Sequence, residues 1–179
     1  MLRDDAGGAV KRQLRAQRLA ARSALTASQI EHARGEVRAH VLSRFASARC
    51  AAAYRPLRTE PGSVELLDAL AAGGSDVIVP LLLDDLDLDW TPWPDGGPLG
   101  VDALALADVV LVPALAVDQH GVRLGRGGGS YDRALRRVRA GVPIVALLYD
   151  GEFADELPAD PWDTAVTAVI TPSGWHPLG

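Results

Sequence analysis

The chain has 179 residues, 48% hydrophobic and 23% charged, a formal net charge of −5 and one cysteine, Cys50. These figures fit one domain of ordinary size spanning residues 1–179 with its own apolar core, exclude an internal disulfide, and argue against a general nucleic-acid binder, which carries a basic excess. The stretch 101–118 is broken by Asp102 and Asp108, so no run reaches the roughly 20 apolar residues of a membrane span, and the start MLRDDAGGAVKR lacks a signal peptide's apolar centre; the expected setting is a reducing cytoplasm.

From Val10 to Leu25 there is neither proline nor glycine, and a helix is predicted. Lys11, Arg15, Arg18 and Arg22 fall on one face of it, beside an apolar stripe of Val10, Leu14, Ala21 and Leu25. Such a face suits a small anion, a solvated surface or a partner protein. A second helix, capped by Thr26 or Ser28, runs to about Phe45 on an apolar face of Ile30, Val37, Val41 and Leu42. CAAAYRPL (50–57) has the apolar texture of a buried strand, GSVELLDALAAGG (62–74) is a serine-capped helix with a glycine stop, and DVIVPL (76–81) is another strand.

LDLDWTPW (86–93) alternates as a strand with one wet face, and PDGGPLG (94–100) is a loop. Asp85, Asp87 and Asp89 share a strand face, which favours a solvated edge over a metal site; Trp90 and Trp93 are core candidates, and the four histidines have no metal-ligand spacing. DVVLVPAL (108–115), VPIVALLY (142–149) and TAVTAVITP (164–172) complete the strands, with a helix over Tyr131–Ala140 after the first. Apolar strands alternating with helices predict a single-domain α/β fold: a mostly parallel central sheet with helices on both faces.

Between strand and helix lies VDQHGVRLGRGGGS (117–130). Glycines let backbone amides approach a ligand, a helix start adds donors, and Arg123 and Arg126 add fixed charge; together they describe a phosphate-binding loop. It matches neither the Walker nor the Rossmann spacing. A mobile surface loop is the plain alternative.

The stretch RLGRGGGSYDRAL (123–135), preceded by LVPALAVDQHG, resembles the signature of the 5-formyltetrahydrofolate cyclo-ligase (5,10-methenyltetrahydrofolate synthetase) family. KRQLR (11–15), Tyr54-x-Pro56 followed by Glu60, and the closing LP…WD…V…VITP agree with it. The resemblance implies an enzyme that converts 5-formyltetrahydrofolate and ATP to 5,10-methenyltetrahydrofolate, ADP and phosphate with Mg²⁺. The formyl oxygen attacks the γ-phosphate, and N10 then closes the ring. Phosphoryl transfer needs positioning and charge neutralisation more than a protein nucleophile, and no catalytic Cys or Ser-His pair is evident here.

On that resemblance Lys11 and Arg15 contact ATP phosphates. Arg123, Leu124, Gly125, Arg126, Gly127, Gly128, Gly129, Ser130 and Tyr131 form the nucleotide loop, with Arg123 and Arg126 as the catalytic cations. Asp132 and Asp163 match positions associated with Mg²⁺, while Tyr54, Glu60 and Tyr131 face the folate. Asp132 has the plainer role of favouring the first turn of its helix. The implied partners are small molecules alone, reduced folate and ATP, bound by a monomer with no nucleic acid and no membrane. Three departures stand out: Ser130 replaces the first tyrosine of the family's Tyr-Tyr-Asp, Trp162 a histidine, and Gly128 a residue that is lysine in some members. The first two leave open a weakly active or inactive binding protein.

Overall fold

The computed structural model describes residues 5–179. Helix α1 (Asp5–Ser23) starts earlier than the periodicity predicts and is followed by α2 (Ala27–Phe45). Thr26, not Ser28, caps α2: its hydroxyl accepts the Gln29 amide at 3.2 Å while the Gln29 side chain accepts the Thr26 amide at 2.9 Å. Strand β1 (Cys50–Ala52) is shorter than predicted, and the chain then leaves the sheet toward Pro56, which has no amide to donate. Helix α3 (Val64–Ala72) is capped by Ser63, whose hydroxyl accepts the Leu66 amide at 3.1 Å.

Strands β2 (Asp76–Leu82) and β3 (Leu88–Pro92) form an antiparallel hairpin. A 3₁₀ turn over Val101–Leu106, absent from the sequence reading, leads to β4 (Val109–Pro113), β5 (Ala116–Asp118) and β6 (Arg123–Leu124). The helix predicted to reach Ala140 is short: α4 (Ser130–Ala134) tightens into a 3₁₀ turn over Leu135–Arg137, and Val138 is extended. Then come β7 (Ile144–Leu147), β8 (Phe153–Ala154), β9 (Ala168–Thr171) and the unpredicted edge strand β10 (Gly174–Pro177).

The main sheet has the order β10-β9-β7-β4-β1-β2-β3, parallel throughout its centre and antiparallel only at the two edge strands. The period-two alternation divides its side chains between two cores. Ala51, Val77, Val79, Val109, Leu111, Val145, Leu147 and Ile170 pack under Val37 and Val41 of α2 and Leu66, Leu67 and Leu70 of α3. Ala52, Ile78, Val110, Val112, Ala146 and Val169 pack on the other side with Leu104, Ala134 and Leu135. Burying each of the three α3 leucines contributes about 1.5–3 kcal/mol. Both faces are covered, as the apolar strand texture predicts.

The aspartates of the β2–β3 hairpin do lie at a sheet edge, where Asp85 is exposed as expected, but Asp87 and Asp89 are engaged rather than merely solvated. Arg137 grips Asp87 bidentately at 2.9 and 2.6 Å, and Asp89 accepts the amides of Trp90 and Gly100 at 2.6 and 2.7 Å. Trp90 is core, and Trp93 packs at the margin of the α2–α3 core with its Nε1 donating to Asp68.

A second, small sheet, β6-β5-β8, positions the glycine-rich loop. Asp118, fully buried, accepts the amides of His120, Val122 and Leu157, which folds the turn ahead of β6. Gly121 in that turn has φ +80°, and a Cβ there would lie 2.3 Å from the Val166 carbonyl oxygen, so no side chain fits.

Candidate active site

A cleft of about 620 Å³ opens where the loop after β6 meets the first half of α1. Lys11, Arg15, Glu60, Asp163 and every residue from Arg123 to Asp132 line it, so the structure brings together all of the predicted site residues except Tyr54. Because β1 ends at Ala52, Ala53 and Tyr54 both turn into the α2–α3 core. The Tyr54 ring packs against Gly62, and burial pushes its phenol well above its ordinary value.

The basic face of α1 divides. Lys11 donates to Asp160 at 2.6 Å and to Asp163 at 3.4 Å, and Arg15 Nε donates to the Gly125 carbonyl at 2.8 Å. Arg18 reaches the Gly151 carbonyl outside the cleft. Arg22 is buried: it pairs bidentately with Glu152 at 2.7 Å and donates to the Ala114 carbonyl. The expected anion-facing stripe is therefore only Lys11 and Arg15. Burial lowers the Lys11 pKa, but the hydrogen bond to Asp160 and the charge of Asp163 outweigh it, and the amine stays above the usual 10.5.

In the loop, Gly127 has φ +109° and Arg15 lies against it, 3.6 Å from where a Cβ would stand. Among the described residues, none of the amides of Arg126, Gly127, Gly128 or Gly129 donates to another backbone group. Four such donors beside cationic side chains are available to an anion. The donors belong to the loop rather than to a helix dipole, because α4 is a single turn.

The two loop arginines differ. The Arg123 side chain is only 4% exposed, donates to Asp132 at 2.9 Å and lies over the Tyr131 ring at 5.5 Å. It is a fixed post under the loop, and it holds Asp132. Arg126 is 45% exposed and stands 3.5 Å from Glu60. Glu60, almost fully buried, accepts the Leu57 amide at 2.9 Å, and Arg34 of α2 staples its turn by donating to the carbonyls of Leu57, Arg58 and Glu60. Next to it the Tyr131 hydroxyl is buried without a hydrogen-bond partner, its phenol pushed up by burial and pulled down less strongly by Arg123. The cleft thus joins a cationic, amide-rich loop to a buried carboxylate and a phenol, with the apolar Leu57 and Leu82 also in its wall.

Asp132 and Asp163 line this one cleft, but the described residues contain no group of three or more His, Cys, Asp or Glu able to hold a metal. Each carboxylate binds a neighbour through one oxygen only, Oδ1 of Asp132 to Arg123 and Oδ2 of Asp163 to Lys11 and the Asp160 amide, leaving the other oxygen without a partner among the described residues. That donor set fits Mg²⁺, which takes one or two carboxylates and completes its shell with substrate phosphates and water. Asp160, Arg55 and Leu57 were not picked out from sequence, although the Asp160-x-x-Asp163 spacing closes a turn that carries its own signal.

Fold and cleft together define an α/β protein with a cleft lined by a glycine-rich loop and a basic helix. The chain belongs to the 5-formyltetrahydrofolate cyclo-ligase family, whose model matches residues 8–172. It is 40% identical over 150 residues, 70% of this chain and 75% of the relative, to 5-formyltetrahydrofolate cyclo-ligase of Mycolicibacterium smegmatis. With the Escherichia coli K12 enzyme of that name it shares 39% identity over 71 residues, 39% of each chain. Its fold is that of the 5,10-methenyltetrahydrofolate synthetases of Mycoplasma pneumoniae (TM-score 0.79, 23% identity, covering 90% of this chain and 98% of that one) and Aquifex aeolicus (TM-score 0.79, 24% identity, 94% and 93%).

Proposed function

We propose that the whole chain, as one domain, converts 5-formyltetrahydrofolate and ATP to 5,10-methenyltetrahydrofolate, ADP and phosphate. The observation that carries this is Arg126 bridging from an amide-rich loop to the buried Glu60 carboxylate within one cleft. Lys11, Arg15 and the Arg126–Gly129 amides hold the phosphates, while Glu60 accepts from the ring N–H groups of the pterin and Leu57 and Leu82 cover its apolar surface. Once those N–H groups satisfy Glu60, the half-exposed Arg126 turns to the γ-phosphate.

The formyl oxygen attacks the γ-phosphorus and the bond to ADP breaks. N10 then attacks the formyl carbon, phosphate leaves with the former formyl oxygen, and N10 gives up its proton. Arg126 neutralises charge on the transferring group, and Arg123 keeps Asp132 and the loop in place. Asp132 and Asp163 would hold Mg²⁺, which when bound draws charge from the terminal phosphates. This function goes with a cytoplasmic monomer that works on small molecules.

A second reading, a binding protein with little turnover, rests on Ser130 and Trp162, which stand where the family commonly has tyrosine and histidine. A spectrophotometric assay separates the two. Methenyltetrahydrofolate absorbance that appears only with 5-formyltetrahydrofolate, ATP and Mg²⁺ supports the enzyme; calorimetric binding of both ligands with no product, even at high protein concentration, supports the second.

A further inference from the structure

A large aromatic ring left open to solvent inside a cleft is costly unless something flat covers it. Trp162 is 58% exposed and is the sole aromatic among the exposed large hydrophobic residues described. It lines the cleft, and the one other aromatic there, Tyr131, is packed against both sheet cores with Arg123 over its ring. The other tryptophans have their faces in use: Trp90 is buried, Arg55 covers Trp93 at 4.8 Å, and Arg44 covers Trp175 at 4.4 Å. Among the described residues no ring or cation stacks on Trp162.

Its backbone, in contrast, is pinned. The turn carrying it is closed by the Asp163 amide donating to the Asp160 carbonyl at 3.0 Å and the Asp160 amide donating to the Asp163 carboxylate at 2.9 Å. Arg136 donates to the Trp162 carbonyl at 3.4 Å, and Lys11 ties both aspartates to α1. A turn with a pinned backbone that presents an exposed, unstacked indole offers a stacking surface at a defined place in the cleft. It neighbours the Lys11 ion pairs, whereas Glu60 is in contact with Arg126 and Leu57.

We propose that Trp162 stacks on the base of the bound nucleotide and so makes the cleft prefer a nucleoside triphosphate to a bare polyphosphate; this rests on the nucleotide reading above. Calorimetric titration of wild type, Trp162→Ala and Trp162→Phe with Mg·ATP, Mg·tripolyphosphate and 5-formyltetrahydrofolate tests it, circular dichroism checking each fold. Trp162→Ala weakens ATP binding about tenfold, Trp162→Phe less than about threefold, and neither changes tripolyphosphate or folate binding.

The proposal fails if Trp162→Ala binds ATP as tightly as wild type. Equal losses for ATP and tripolyphosphate also overturn it, since the indole then acts only by supporting Lys11, and a loss confined to the folate assigns the ring to the pterin. Wild-type protein that binds tripolyphosphate but shows no preference for ATP sinks this inference and spares the cleft. Wild-type protein that binds neither sinks the nucleotide reading beneath it.

Discussion

Lys11 and Arg22 stand about three turns apart on one face of α1, yet the helix treats them oppositely. Lys11 is 16% exposed, pairs with two carboxylates at the rim and borders the cleft. Arg22 is 2% exposed and closed off by Glu152, the Ala114 carbonyl and the Tyr149 ring at 5.4 Å. One end of the helix places its charge in the wall of the cleft; the other locks the helix onto the β4–β5 connection and the turn before β8. A cation's partner, not its place in a periodic stripe, decides which job it does.

The largest effect expected from breaking this contrast is at the buried end. Arg22→Ala leaves the Glu152 carboxylate buried and short of its partner, and lowers unfolding free energy by about 3–5 kcal/mol in a urea melt, while molecules that remain folded keep their nucleotide affinity. Adding Glu152→Leu to Arg22→Met recovers part of that loss, because the lone charge goes too. Lys11→Ala does the reverse: the unfolding free energy falls by under about 1 kcal/mol, and the KM for ATP rises about 10- to 100-fold in steady-state kinetics, the worth of one charge-assisted contact.

The smallest effect is with pH. The Lys11 pKa is raised in the folded chain, so its contribution is fully present below the unfolded 10.5 and is lost only as pH climbs through the raised value. Between about pH 6 and about pH 9 a titration of ATP affinity carries no Lys11 step, and Lys11→Ala changes the height of the profile without changing its shape there.

Most of the large elements were legible because each obeys one local rule: the Thr26 and Ser63 caps, and strands such as Val109–Pro113 with apolar residues on both faces. What escaped depends on distant partners. Gly100 opens the Val101–Leu106 turn without any side-chain cap, and β10 is a four-residue edge containing tryptophan, histidine and proline that exists only because β9 pairs with it. Arg22 looks like Lys11 until Glu152, 130 positions away in sequence, closes over it. In the site, the loop and Glu60 were readable from the motif. Tyr54, taken from the motif, packs in the α2–α3 core rather than along the cleft, and Arg123 looked like a twin of Arg126 although one is a buried post and the other a half-free side chain.

The claim on which the rest depends is that Arg126 links the phosphate loop to the folate-facing carboxylate. Its most direct test is the steady-state rate of methenyltetrahydrofolate formation by Arg126→Ala with both substrates saturating. A loss of about 100-fold or more in kcat, with thermal stability close to wild type, is the predicted outcome. An Arg126→Ala protein that turns over at the wild-type kcat contradicts it.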